Sequence, residues 1–289
     1  MKTKNTLLSM LMIIFLCIFF VLFLSSCSIK TILDSDRDKL EKEVVHEIYN
    51  NSILCENIEM LSVYNDIGNI IVKEIESNKI NIKVNLIQDK RIKDLDYKLS
   101  SINIEPSINN NILFLEPLDA NEGNNYWENK KNNANGIRID YIIEIPQSIE
   151  SVNLFTDIGN IDLKDINAKL SVFTSMGKIE GTKISPMDDS RFFTSSLLDG
   201  GEAINIDIKS LDNANNIEIG SDIGEVYISI PKEEYIHTIK ETDIDKANDD
   251  FVKNIKNNKL EYIKPKVDKT NLITTDPENM LGELIIEEY

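Results

Sequence analysis

Three aspartates stand two residues before a glycine, in Asp66-Ile67-Gly68, Asp157-Ile158-Gly159 and Asp222-Ile223-Gly224. If the units that carry them stack, carboxylates aligned in this way could gather oxygen ligands for Ca²⁺. They could also act as paired acid and base in glycan cleavage. A further copy of the same unit breaks the column, because Ser175 stands where the aspartate would. Aspartate before a turn glycine is also an ordinary turn former, through bonds to its own backbone. The turn role is therefore preferred for Asp66, Asp157 and Asp222, with a metal site as the weaker alternative, and no cofactor is called for. Other chemistry has little material. His46 and His237 are the only imidazoles and lie far apart, which removes a multi-histidine metal site and leaves little for a histidine-based triad. Thr194-Ser195-Ser196 lacks the Gly-x-Ser-x-Gly of a nucleophile elbow, and strand polarity explains it better.

Cysteine carries the one specific signal. Lys2 and Lys4 form a short basic start, and an apolar run from Leu7 to Leu24 follows without a charge, the pattern of an export signal. Leu24-Ser25-Ser26-Cys27 then resembles the bacterial lipobox, in which the thiol receives a diacylglyceryl group and cleavage falls just before the cysteine. That resemblance makes residues 1–26 a signal peptide and Cys27 the acylated first residue of the mature chain. The alternative is an uncleaved anchor, since the run is about long enough to span a bilayer. Two or more acyl chains, at about 0.8 kcal/mol per buried CH₂, hold a protein durably in one leaflet. Cys17 lies in the discarded run, so Cys55 is the only thiol left in the folded part and an intramolecular disulfide is impossible. Its neighbours Ile53 and Leu54 favour a buried structural thiol.

The chain has 289 residues, 31 Lys+Arg against 49 Asp+Glu, and a formal charge of −18. Removing the signal peptide takes away two lysines and no acid, so the mature charge becomes −20. Such a chain repels phosphate backbones, which excludes nucleic acid as a general partner and anionic headgroups as a docking surface. With 42% hydrophobic residues there is ample material for one core. Residues 27–52 read as the acylated cysteine and a charged linker. Ser35 to Asp38 could cap a short helix through Leu40, Val44, Val45 and Ile48.

The candidate residues sit in a repeated strand-turn-strand unit. The tract from Val63 to Val72 returns at Leu154 to Leu163, Val172 to Ile179 and Ile219 to Ile228, and more weakly at Asn279 to Ile286. Five residues before the glycine stands Val63, Leu154, Val172 or Ile219. One before it is Ile67, Ile158, Met176, Ile223 or Leu281, and two after it Ile70, Ile161, Ile179, Val226 or Leu284. Alternation with polar positions predicts half-buried strands. Gly68, Gly159, Gly177, Gly224 and Gly282 shift its phase by one residue, as expected of a bulge or tight bend with positive φ. Three before the glycine comes a small polar residue, Asn65, Thr156, Thr174, Ser221 or Asn279, predicting a ladder of side chains bonded to one another.

Successive glycines stand at Gly159, Gly177, Gly201 and Gly224. Their spacing is about twice that of hairpin turns, which recur every roughly 8 to 12 residues. It suits one coil of a β-solenoid, which needs roughly 20 residues. The expected fold is all-β: a parallel, single-stranded β-solenoid over residues 53–289 behind a lipid-anchored tether. Between Leu118 and Gly136 an Asn-rich insertion with Tyr126 and Trp127 reads as a protruding loop. Exposed loops concentrate binding residues, so this pair is a candidate contact tip, although folding back on the flank of the stack is preferred.

The succession of Asp66-Ile67-Gly68-Asn69-Ile70, the alternating run to Leu86, a variable insertion, Tyr141 to Pro146 and the glycine turns at Gly159, Gly177 and Gly224 resembles a bacterial domain family of unknown function named "putative adhesin". The match covers about residues 55 to 289. The resemblance implies a β-solenoid, a surface location and no catalytic residue to carry over. The expectation is a non-enzymatic lipoprotein on the outer face of the bacterial plasma membrane, binding a protein or glycan. The alternatives are an accessory protein touching a membrane sensor of envelope stress and, third, a solenoid glycan lyase or hydrolase.

Overall fold

The computed structural model describes residues 43–89, 99–128, 136–196, 201–214, 216–231, 236–240, 259–263, 270–274 and 284–288. The chain divides into two compact units, Met1–Val44 with Asp89–Lys93, and Val45–Gln88 with Asp94–Tyr289. The elements that position the site belong to the second. Cys27, Gly282 and the segments 1–42 and 241–258 lie outside the described residues.

The described chain is nearly all-β. Strand β1 (Glu43–Leu54) precedes the first glycine unit, β2 (Met60–Ile67) and β3 (Ile70–Ile75), and β4 (Lys79–Asp89) follows it. Four short strands come next: β5 (Ile102–Asn103), β6 (Ser107–Asn109), β7 (Ile112–Leu115) and β8 (Leu118–Asp119). A 3-10 turn at Tyr126–Glu128 leads to β9 (Ile137–Pro146). Strands then come in pairs about the later turns: β10 (Ser151–Ile158) and β11 (Ile161–Lys164), β12 (Lys169–Met176) and β13 (Ile179–Ile184), β14 (Ser190–Ser196) and β15 (Glu202–Ile208), β16 (Asn216–Ser221) and β17 (Glu225–Ile230). The last are β18 (Ile236–Lys240), β19 (Lys259–Ile263), β20 (Thr270–Thr274) and β21 (Leu284–Glu288).

The strand before each turn and the strand after it go to different sheets. The first set joins a ten-stranded sheet ordered β18-β19-β20-β16-β14-β12-β10-β2-β7-β6, the second a nine-stranded sheet ordered β1-β4-β9-β3-β11-β13-β15-β17-β21. Equivalent residues of successive units pair in parallel, Leu154 with Val63 and Val172, Ile161 with Ile70 and Ile179. A uniformly parallel stack is nonetheless too simple a description, and the sheets are mixed. Strand β4 runs antiparallel to β9, β6 to β7, and β19 to both β18 and β20. The helix expected through Val44, Val45 and Ile48 is also replaced: from Glu43 onward this stretch is strand, with half-buried Val44, His46 and Ile48 alternating with exposed Val45 and Glu47, a period of two rather than 3.6.

The inward columns make the core. Leu61, Val63, Val152, Leu154, Leu170, Val172 and Phe192 line one sheet, and Ile70, Val72, Ile161, Leu163, Ile179, Ile204 and Ile206 the other, each at most 2% exposed. Fully burying such a side chain contributes about 1.5–3 kcal/mol. The column one residue before the glycine is only partly covered, and Ile223 is 44% exposed.

Two hydrogen-bond ladders run through the turns. The expected ladder of side chains bonded to one another is not what forms. Ser221 keeps its hydroxyl bond within its own unit, but in three rungs the small polar side chain donates to a main-chain carbonyl of the neighbouring unit: Thr156 Oγ1 to Gly68 O at 2.9 Å, Thr174 Oγ1 to Gly159 O at 2.8 Å and Thr194 Oγ1 to Gly177 O at 2.9 Å. Asn65 Nδ2 does the same to Ile139 O at 2.8 Å. Level with the residue that follows the glycine, Asp140, Asn69 and Asn160 accept through Oδ1 from the backbone N–H of Asn69, Asn160 and Lys178, each at 2.9 Å.

Close approach explains the glycines better than backbone conformation does. Gly68 and Gly224 have φ of 137° and 117°, but Gly177 has no positive φ. A Cβ on Gly68 would lie 2.0 Å from Ile139 O, on Gly159 2.1 Å from Gly68 O, and on Gly177 1.9 Å from Gly159 O. The turns stack so tightly that no side chain fits between them.

Candidate functional site

The outward face of the ten-stranded sheet gathers what the sequence scatters. Parallel pairing of β2, β10, β12 and β14 puts Tyr64, Phe155, Phe173 and Phe193 side by side. Their rings stack nearly flat, with centroids 4.7, 5.2 and 5.7 Å apart and interplanar angles of 5°, 13° and 6°. Aromatic pairs in such geometry contribute about 0.5–1.5 kcal/mol each beyond area burial. The column ends at Gly220, which pairs with Phe193 and whose Cβ would meet that ring at 3.2 Å. Ring faces cover one another, so the column turns its edges to solvent. Tyr64 remains 44% exposed.

Small polar side chains flank the rings. On one side run Ser62, Asn153, Ser171 and Arg191, all partly exposed, with Arg191 Nε 3.1 Å from Glu218 of β16. On the other run Asp66, Asp157, Ser175 and Ser195. The structure thus brings Asp66 and Asp157 onto adjacent strands, while two serine-bearing strands separate Asp157 from Asp222. Burial pushes the Asp66 carboxyl above the usual carboxylate range; the Asp157 charge adds to this, and hydrogen bonding to Tyr64 opposes it. Burial, followed by the Asp66 charge, raises the Tyr64 phenol. Among the described residues no three His, Cys, Asp or Glu side chains are placed to hold a metal ion.

The Asn-rich insertion does not present its aromatic pair as a tip. Tyr126 is fully buried and Trp127 half-buried, with ring centroids 5.2 Å apart in an edge-to-face contact. Asp119 Oδ1 accepts from the backbone N–H of Asn121 and Glu122, and Tyr126 N–H donates to Pro117 O at 2.8 Å, tying the segment down. Cys55 is half-buried, with Sγ 3.5 Å from Ile58 O.

Alignment on the glycine overlooks the aromatic column, although the signal is present. Tyr64, Phe155 and Phe173 all stand four residues before it. Phe193 escapes because its unit has a longer turn, with Gly201 further along the chain.

No helix among the described residues is long and apolar enough to cross a membrane. No family model matches the sequence, and no curated protein matches it. Among solved structures the chain is similar to a putative cell adhesion protein from Clostridium sporogenes, with 13% identity, 86% of this chain and 99% of that one covered, and a TM-score of 0.34. It is similar to a putative adhesin from Bacteroides fragilis at 10% identity over 86% of this chain and 95% of that one, with a TM-score of 0.33. A putative adhesin from Parabacteroides merdae matches at 10% identity over 66% and 70%, with a TM-score of 0.22.

Proposed function

We propose that this chain is a non-enzymatic binding protein of the bacterial cell surface. Acyl chains on Cys27 hold it to the outer face of the plasma membrane, and successive glycine units coil as rungs of a β-solenoid with antiparallel strands at its ends. The outward face of the ten-stranded sheet engages an extended polymer, protein or glycan.

One observation carries the reading: the same set of groups recurs on each of four neighbouring strands. A stacked ring lies between a hydroxyl, amide or guanidinium on one side and a carboxylate or hydroxyl on the other. Strands lie about 4.8 Å apart, so the face offers equivalent polar groups at a fixed spacing. A repeating surface suits a repeating ligand, and extended repeat surfaces serve recognition. The ring column keeps this face flat and rigid, so less ordering is needed on binding.

The full-length chain in detergent, applied to an array of matrix proteins and cell-wall polysaccharides, is expected to capture one polymer class. Ser62→Lys with Ser171→Lys places two long charged side chains over the face without touching the core, and should abolish capture. Failure of the wild-type chain to bind any polymer, or equal binding by the variant, overturns the proposal. The anchor is tested separately. Cys27→Ala should lose palmitate labelling and accumulate as precursor, and normal processing of that variant overturns the lipoprotein reading.

A further inference from the structure

The aromatic face limits which polymer can lie on it. Phe155 and Phe173 each carry a stacked ring on both faces, so only their edges reach solvent. A ligand that needs a ring face, such as a cation or a stacked sugar, finds none at these two rungs. Ring edges carry the positive end of the quadrupole, so the strip attracts acceptor atoms. The row alongside agrees with it. Among the described residues the Ser62 and Ser171 hydroxyls have no partner within the protein. On the strand between them, Asn153 Nδ2 makes only a weak contact with Met60 Sδ, at 3.5 Å.

Spacing then separates one ligand backbone from another. An extended strand returns to the same face every second residue, about 6.6–6.8 Å, which falls between one strand step and two. A polyproline II helix returns every third residue, about 9.3 Å at 3.1 Å per residue, against about 9.4–9.8 Å for two strand steps. Equivalent residues of such a helix therefore meet alternate rings, Tyr64 and Phe173 or Phe155 and Phe193. The match is closest from Tyr64 to Phe173, where successive centroids lie 4.7 and 5.2 Å apart, and loosens toward Phe193, at 5.7 Å. This helix has no internal hydrogen bonds and proline has no N–H, so a proline-rich segment offers carbonyl acceptors alone. Its backbone is also extended before it binds, which lowers the ordering cost.

On the far side of the rings Asp66 and Asp157 flank the first two rungs, with Ser175 and Ser195 beyond them. Carboxylates donate nothing to a carbonyl, so the ligand's carbonyls face the Ser62 row, and an acidic ligand is repelled. Resting on the polymer-binding role of this face, we propose that its ligand is a proline-rich segment without acidic residues, laid across the strands as a polyproline II helix. Three strand steps, about 14 Å, take about five residues at 3.1 Å each, and prolines three apart sit on alternate rings.

Fluorescence anisotropy of a labelled proline decapeptide, titrated with the full-length chain in detergent, tests the assignment. The decapeptide should bind, and a glycine-serine decapeptide should bind at least tenfold more weakly. Phe173→Leu keeps an apolar side chain but removes a ring, and should weaken binding at least fivefold. Ser62→Ala with Ser171→Ala leaves the core untouched and should weaken it at least threefold. Absence of binding, equal binding of the glycine-serine peptide, or full affinity in either variant overturns the proposal. The wider reading of the face fails separately. If the wild-type chain captures another polymer, and Ser62→Lys with Ser171→Lys abolishes that capture, the face binds polymers and only the proline-rich ligand is wrong.

Discussion

Replacing Gly177 by alanine separates two roles of glycine that are usually confounded. Gly177 has no positive φ, so alanine meets no conformational obstacle of its own. Its Cβ would however lie 1.9 Å from Gly159 O and 2.6 Å from Gly159 C. Ordinary contact begins near 3.4 Å, so the neighbouring turns must part by most of that shortfall. Four bonds hold them together across this contact: Gly159 N–H to Met176 O, Ile161 N–H to Lys178 O and Lys178 N–H to Asn160 Oδ1, each at 2.9 Å, and Thr174 Oγ1 to Gly159 O at 2.8 Å. Parting of that size breaks or severely stretches them. Each is worth about 1 kcal/mol net, and a buried polar group left without a partner costs about 1–3 kcal/mol. The expected loss, summed over these bonds, is about 3–5 kcal/mol. Gly201 supplies the opposite case, with φ of 98° and no atom within 4 Å of a Cβ. There alanine meets only the left-handed penalty of about 1–2 kcal/mol, reduced by about 0.4–1 kcal/mol through the stiffer unfolded chain. The stiffer unfolded chain favours both alanine variants equally, so urea unfolding followed by far-ultraviolet circular dichroism should place Gly177→Ala at least about 1 kcal/mol below Gly201→Ala. Equal destabilisation of the two would refute the claim that close stacking selects the glycines.

Two further outcomes follow from the same geometry. Thr174→Val keeps the shape of the buried side chain but leaves Gly159 O without its donor. It should cost about 1–3 kcal/mol by urea midpoint, with Thr174→Ser retaining most of the wild-type stability, and a valine variant as stable as the serine one would count against the ladder. Burial, and next to it the Glu180 charge, raise the Asp162 carboxyl above its ordinary range. The folded chain therefore holds a proton more tightly than the unfolded one, and Asp162 lowers stability as pH rises through that window. Asp162→Asn should raise the urea midpoint at neutral pH and leave it unchanged at pH values below the unfolded aspartate range. A midpoint difference independent of pH would show that the carboxylate is not the cause.

Period-two alternation makes the strands legible because it is a property of one strand at a time. It places Val63, Leu154, Val172 and Ile219 inward, and all are buried. Pairing direction is not local. The run from Ile80 to Leu86 alternates as cleanly as the glycine units, yet β4 runs antiparallel to β9, and nothing in its own side chains distinguishes the two directions. Partners across strands are the least legible. Asn65, Thr156 and Thr174 form a column in the sequence as in the fold, but the carbonyls that accept from them become visible only once the turns are stacked. Tyr126 is harder to place for a related reason, although folding back is the preferred of its two readings. An Asn-rich, charged segment reads as solvated, while Asp119 and Pro117 fold it back and bury the ring.

The glycine and the small polar residue on the next strand form one device. With no side chain at Gly68, Gly159 and Gly177, the turns approach until each glycine carbonyl accepts from a buried hydroxyl alongside it, that of Thr156, Thr174 and Thr194 in turn. Water cannot reach a carbonyl so enclosed, and a buried acceptor must find another donor. A small donor is therefore required where the glycine stacks, and the requirement lapses where it does not. That is what happens downstream. Lys178 offers no acceptor, so the ladder through Asp140, Asn69 and Asn160 stops at its backbone N–H. Gly201 stands in open space, and Ser221, no longer needed by a stacked glycine, turns its hydroxyl to Ile223 O of its own unit at 3.0 Å. The repeat lengthens at this same point, since Gly177 to Gly201 and Gly201 to Gly224 are both longer steps than Gly159 to Gly177. Regular spacing in the sequence is thus the outward sign of an unbroken stack of turns, and the longer steps begin where Gly201 is held by its positive φ rather than by close stacking and no donor to a stacked carbonyl is needed.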